Sequence, residues 1–483
     1  MKKLLIFSIG LFIHIGISAQ NPISGGTLKA SGRYFTNQKG EVVYLTGIHT
    51  WDNVQDIYIK TKPFKFDYQA YIKYLTDRNL NFTRLWMFEH RYGMSYSAEP
   101  IVVSPHPYKL LKSDDEKRTT QFDLNQWNEE YFTRLKERIE IASENGIYVS
   151  VMLFQGWSLD KTGTASIDPW VSNYMNPANN IQKIGAKSGK VDSDTEPTVH
   201  SLMNPELLAF QLKYVDKVIE TVNGFDNVLY EILNEGGAID WTYYMIHYIR
   251  QKERNLPKQH PIGMSHRVSP RMLNADLENS PADWIAPADE PMDWMYPGSS
   301  FLDDMRYNLS DLKSNKVVIL DTDHLWGCGG NYEWAWKAFL QGYNPIFMDP
   351  WDGLLGADTV RVAWLSPCAQ SRNYVQFELL RKNLGITRQV AQELDLKNCK
   401  PMPQLVSSRF CLANPGESYV VWVEAGKNLT INLFNAIGEF SVTWYNPVTL
   451  KFMENEPIRG GDYCVLQSPD VNNMIAIIAR VNK

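Results

Sequence analysis

The stretch VLYEILNEGG, Val228–Gly237, decides how the chain is read. Apolar and polar positions alternate as far as Asn234-Glu235, and two glycines follow. A period of two puts successive side chains on opposite faces of a strand. The stretch reads as a buried strand that delivers a carboxylate to its own C-terminal end. The same letters suit a strand that runs into a helix cap, and the dipeptide alone does not separate the two readings. The surrounding chain does.

Outward from this strand one unit recurs: a short apolar strand, a polar end, then a helix. YLTGIHTWDN, from Tyr44, ends at His49, Trp51 and Asp52, and a helix is expected over about Asp67–Arg78. NFTRLWMFEH (Asn81–His90) is the second strand, followed by a long insertion to about Thr120. A helix over Gln126–Asn145 is expected next, capped by Asp123 or Asn125. GIYVSVMLFQGW (Gly146–Trp157) is the third strand. A polar loop without periodicity covers about 158–203, and Pro205 opens a helix to about Val222. The organising strand is the fourth. PIGMSH (Pro261–His266) and ADWIAP (Ala282–Pro287) are candidate fifth and sixth strands, KVVILDTDHLWG (Lys316–Gly327) the seventh, and NPIFMDPWDG (Asn344–Gly353) the eighth.

Eight strand–helix units predict an α/β fold, a (β/α)8 TIM barrel. A doubly wound sheet is the alternative, but no glycine-rich phosphate loop follows the first strand. After about Ser407 the pattern changes to short alternating strands such as SYVVWVEAG and MIAIIARV, which predict a small antiparallel β-sandwich. The expected division is a signal peptide over 1–20, a barrel over 21–386, a linking segment over 387–406 and a sandwich over 407–483.

Composition narrows the function. The 483 residues exceed one small core, and a net charge of −6 offers no basic footprint for nucleic acid. MKKLLIFSIGLFIHIGISAQ has the basic start, apolar run and small residues of a secretory signal. No cysteine stands directly after its apolar run, so export to the periplasm or medium without a lipid anchor is expected. No later stretch is apolar enough to span a membrane. The five cysteines are scattered and fit neither a disulfide framework nor metal spacing, although Cys411 and Cys464 fall in the same expected sheet domain. No cofactor or metal is called for, and a monomer is expected.

A barrel carries its active site at the C-terminal ends of its strands. The candidates there are His49, Asp52, Glu89, His90, Asn234, Glu235, His266, Asp321, Asp323, His324, Asp349 and Asp352. Trp51, Trp86, Trp157, Trp326 and Trp351 lie at or just past strand ends, where rings can stack on sugars or simply pack. Two carboxylates across a barrel mouth suit glycoside cleavage: one protonates the leaving oxygen, and the other attacks carbon or activates water. Glu235 and a seventh-strand Asp face each other in this way. Asp321 and Asp323 point to one side, with Asp323 nearer the lip and therefore preferred. Arg84 sits in an otherwise apolar strand and requires a carboxylate partner, either the seventh-strand Asp or Glu231.

The segments LTGIHTWDN, NFTRLWMFEH, ILNE, VILDTDHLWGCGG, NPIFMDPWDG and, in the tail, FCLANPGESYVVW with WYNP resemble clan A-type TIM-barrel glycoside hydrolases. The resemblance is to the cellulase-like or apiosidase-like group with a C-terminal collagen-binding-type domain. It implies Glu235 as general acid/base, Asn234 as a sugar-binding amide and Arg84 as the second-strand arginine. The seventh strand departs from it by offering Asp where that clan usually has Glu. The expected function is an exported, retaining glycoside hydrolase acting on poly- or oligosaccharide. The competing expectations are a glycan-binding barrel without catalysis, and a metal-dependent hydrolase using His49, His90, Asp323 and His324.

Overall fold

Eight short strands pair in parallel and close on themselves. They are β1 (Gly47–His49), β2 (Phe82–Leu85), β3 (Tyr148–Gln155), β4 (Val228–Asn234), β5 (Ile262–Ser265), β6 (Trp284–Ala286), β7 (Val317–Asp321) and β8 (Asn344–Met348). β8 pairs with β1 and β1 with β2, which completes the TIM barrel. The computed structural model of the chain describes residues 21–59, 65–93, 101–159, 168–186, 198–266, 274–287, 312, 315–322, 330–349 and 375–481. The expected signal segment and the candidates Asp323, His324, Trp326, Trp351 and Asp352 lie outside them. The chain divides into two compact units, with Asn21–Val390 in one and Ala391–Lys483 in the other.

Two layers fill the barrel. Phe82, Leu229, Trp284, Val317, Ile319 and Ile346 form an apolar plug, joined by Leu28, Phe35 and Leu45 from the N-terminal segment. Two residues further along their strands, on the same faces, stand Arg84, Glu231 and Asp321, all buried. The period of two therefore builds a dry floor and a charged upper layer from the same three strands. Trp284 needs room to lie in the floor, and Gly263 on the neighbouring strand supplies it. A Cβ at Gly263 would sit 1.9 Å from the indole Cε2.

The outer helices are α1 (Tyr68–Thr76), α2 (Glu129–Glu144), α3 (Pro205–Val222), α4 (Ile239–Glu253), α5 (Asn274–Glu278), α6 (Tyr332–Leu340) and α7 (Val375–Glu393). Asp67 caps α1 by accepting from Ala70 N at 3.0 Å, and Asn204 caps α3 ahead of Pro205. The expected helix from Gln126 is corrected. Thr119–Trp127 is a strand paired with Tyr108–Asp114, and α2 starts only after Asn128, its cap. Asp123, expected as a cap, instead accepts from Asn125 N, Gln126 Nε2 and Gln182 Nε2, holding the hairpin to a loop. The insertion after β2 is thus largely β-structure, since Ile101–Ser104 also pairs with Asp56–Ile59. α7 packs as the outer helix after β8: its Arg381 clasps Asp349, and its Asn383 accepts from Trp336 Nε1.

The second unit holds a six-stranded antiparallel sheet and a two-stranded sheet, Leu429–Asn432 with Tyr463–Leu466. Alternate residues such as Val421, Val423, Ile431, Phe440, Val442 and Trp444 share one core between the sheets. Cys411 lies opposite Val421 in the larger sheet and Cys464 opposite Ile431 in the smaller one, and both are free thiols.

Gly263→Ala tests the layered packing. Overpacking the floor should cost about 1–3 kcal/mol, read as a lower urea midpoint. An unchanged midpoint would mean that Trp284 does not fill the space described.

Candidate active site

The upper layer is organised by one guanidinium. Arg84, on β2, donates from Nε to Glu231 Oε2 at 2.9 Å and from Nη2 to Glu231 Oε1 at 2.5 Å. Nη2 also donates to Asn234 Oδ1 at 2.9 Å, and Nη1 forms an ion pair with Asp321. Both partners foreseen for Arg84 are therefore present together. Ser150 and Ser265 add hydroxyl donors to Glu231 at 3.3 and 2.6 Å, so each of its oxygens accepts two bonds. Breaking a buried pair of this kind costs about 3–5 kcal/mol, because the remaining charge stays buried.

His49, at the end of β1, places Nε2 3.0 Å from Asp321 Oδ1 and 2.9 Å from Oδ2. Its ring stacks on Trp86 with centroids 5.1 Å apart and planes 5° from parallel. Burial pushes the imidazole below its ordinary pKa, and Asp321 pulls the other way without restoring it. His49 Nδ1 is buried without a partner among the described residues. Both facts fit a neutral ring that donates from Nε2 to the carboxylate.

Glu235 ends the same strand that carries Glu231 and Asn234, but its environment differs. It is only partly buried, and its φ is +55°, a left-handed conformation unusual for a side chain of this size. The backbone of Gly156 lies directly against it. A Cβ there would come within 2.7 Å of the Glu235 carbonyl oxygen. α4 begins further on, with Ala238 at the cap position and no side-chain cap bond. The Asn-Glu pair therefore does not serve as a helix cap. Asn234 Oδ1 is committed to Arg84, which orients the amide, and Nδ2 donates to Gln155 Oε1 at 3.4 Å.

A second polar cluster lies past β2. Glu89 is buried and accepts from Gln155 N at 3.3 Å and Asn173 Nδ2 at 3.5 Å, with His200 Nε2 at 3.3 Å. His90 Nδ1 lies 3.0 Å from Ser158 Oγ. These side chains tie the loop segments around Asn173 and His200 to the ends of β2 and β3. Asp349, another candidate, is wholly buried and spends both oxygens on Arg381, at 2.6 and 2.8 Å. Its observed work is to anchor α7. His266 is buried just past β5, where its main-chain N–H donates to Ala286 O at 3.0 Å. Trp51 and Trp157 are partly exposed, whereas Trp86 is buried between His49 and Arg84.

Ser150, Ser265 and Gln155 were not legible as site residues. The available signal was a serine inside the apolar run YVSVMLF and another closing IGMS. Among the described residues no group of three or more His, Cys, Asp or Glu is placed to hold a metal ion, and no helix is long and apolar enough to cross a membrane.

No family model and no curated protein matches the chain. Solved structures do. A protein described as a glycoside hydrolase shares 12% identity with a TM-score of 0.59, over 96% of this chain and 99% of its own. A glycoside hydrolase family 5 protein from Bacteroides vulgatus shares 12% identity with a TM-score of 0.61, over 96% of each chain. Likeness at that identity establishes a shared fold. The fold class is thus a TIM barrel with an added antiparallel sheet unit.

The buried histidines set an acid limit on stability. Burial lowers His49, takes His90 down to about 3 and holds His106 well below its ordinary value. Each is neutral when folded, whereas the unfolded chain takes up the proton near pH 6.5. The stability they contribute is complete above that pH and is lost as pH falls towards the folded values, by up to about 1.4 kcal/mol per pH unit for each ring. Urea midpoints should drop between pH 7 and pH 5, and His90→Gln should make the drop shallower. An equal slope in the variant would remove His90 from this account.

Proposed function

We propose that the protein is a glycoside hydrolase cleaving O-glycosidic bonds in poly- or oligosaccharides. One observation carries the reading. Glu235 stands partly exposed at the end of β4 in a left-handed backbone, beside an Asn234 that the same guanidinium holds as it holds Asp321 on β7. Backbone strain of this kind concentrates where a side chain must be presented to a ligand. Structural neighbours described as glycoside hydrolases support the class.

Glu235 is the proposed general acid/base, and Asn234 holds the sugar hydroxyl beside the reacting carbon. Among the described residues, Nδ2 of Asn234 has one N–H committed to Gln155 and the second left for a ligand. The second carboxylate comes from β7. Sequence reading prefers Asp323, which lies outside the described residues; Asp321 is proposed here because pairing with Arg84 and a hydrogen bond from His49 stabilise its charged form. Retention is proposed, with this Asp as nucleophile. Trp51 and Trp157 offer partly exposed faces for stacking. The N-terminal sequence supports export.

Glu235→Gln should lose about 10²–10⁴-fold in hydrolysis of glycans with poor leaving groups while keeping its melting temperature. Full activity in that variant would remove the assignment. Proton NMR of the first-formed anomer reads the stereochemistry: retention requires a carboxylate gap of about 5–5.5 Å, and inversion about 6.5–9.5 Å. A fluorosugar that traps the nucleophile should label Asp321, and a label on Asp323 would move the role two residues along.

A further inference from the structure

Glu231 is the one buried carboxylate of the upper layer that the proposed chemistry does not use. Its two oxygens are filled by Arg84 Nε and Nη2 and by the hydroxyls of Ser265 and Ser150. It is wholly buried. A carboxylate so enclosed has no reach to a ligand, but it decides where the guanidinium lies. The bidentate pair fixes the plane of the guanidinium and the direction of its remaining N–H groups. Those groups are the ones that meet Asn234 on β4 and Asp321 on β7.

We propose that Glu231 is a positioning residue for glycoside cleavage, acting through Arg84 to fix the sugar-binding Asn234 and the seventh-strand Asp321 relative to each other. The inference rests on the hydrolase reading above and deepens it. Ser150 and Ser265 complete the device, because they satisfy the carboxylate from β3 and β5 and keep it from rotating. β2, β3, β4, β5 and β7 are thereby referred to a single planar ion pair. Hydrogen bonds to the sugar hydroxyl strengthen in the transition state of glycoside cleavage, so loosening this frame acts on turnover before it acts on affinity.

The test compares wild type, Glu231→Gln, Arg84→Met and the double variant on a glycan that the wild type hydrolyses, with kcat and KM measured separately. A displacement of about 1 Å costs about 10²-fold in rate, so Glu231→Gln should lose about 10²-fold in kcat with KM little changed. In the Arg84→Met background the same substitution should cost nothing further, because its route of action is already gone. Ser265→Ala is the milder probe should Glu231→Gln fold poorly. It keeps the charge, removes one 2.6 Å bond, and should lower kcat about tenfold, the worth of a hydrogen bond to a charged group.

Loss of melting temperature in Glu231→Gln with kcat within about threefold of wild type would show a purely structural role and overturn the proposal. Equal losses in the wild-type and Arg84→Met backgrounds would also overturn it, since Glu231 would then act by another route. If Glu235→Gln is inactive and Glu231→Gln is not, the positioning role alone fails. If the wild type releases no reducing ends from any glycan of a broad panel, the hydrolase reading fails and takes the positioning role with it.

Discussion

The ion pair of Arg84 with Glu231 and Asp321 is the constraint on which the rest depends. One cation lies buried against two carboxylates, so the layer tolerates desolvation only because other donors share the load. Ser150, Ser265 and His49 are those donors, each from a different strand. A strand that slips by one residue turns every side chain to the other face. In this barrel a one-residue slip of β2, β4 or β7 would turn its charge out of the upper layer and into the apolar packing between strands and helices. The charged layer therefore fixes register between strands that do not pair, which backbone hydrogen bonds alone cannot do.

Glu235 is the counterpart of that rigidity. A left-handed backbone costs a residue with a Cβ on the order of 1–3 kcal/mol. The cost is met locally: Gly156 offers a bare Cα against the Glu235 carbonyl, and Gly237 takes a positive φ of its own, +83°. The turn carries the chain from β4 towards α4 while leaving the Glu235 side chain partly exposed. The ion network thus immobilises Asn234, and the turn presents its neighbour. Two adjacent residues receive opposite treatments from the same strand end.

Much of this was legible because period and polarity coincide. Leu229-Tyr-Glu231 and Ile319-Leu-Asp321 read as strands, and their buried charges follow from the same alternation. The short fifth and sixth strands were the faintest of the eight, because three or four residues carry little alternation of their own. Asn128 was not legible as the α2 cap, because Asp123 and Asn125 carry the same cap chemistry and only the pairing of Thr119–Trp127 with Tyr108–Asp114 removes them from contention. The roles of Glu89 and Asp349 were hidden for a related reason. A carboxylate after a strand looks alike whether it meets a ligand or an internal partner, and the partners here, His200 and Arg381, are remote in sequence. Ser150 and Ser265 gave no signal beyond being polar in apolar runs.

The buried carboxylates sort by what fills their oxygens. Asp349 has Arg381 on both oxygens and secures a helix. Glu89 has a main-chain N–H, an amide and an imidazole, and secures loops. Glu231 has a guanidinium and two hydroxyls, and secures the guanidinium itself. Asp321 has Arg84 and His49, and both are held in turn, Arg84 by Glu231 and His49 by its stack on Trp86. A carboxylate held by immobilised donors needs no reorganisation as charge moves near it, which is the electrostatic condition for catalysis in a dry site. Under the hydrolase reading proposed above, that condition, more than the presence of a second acid, is the reason to look to β7 for the second carboxylate.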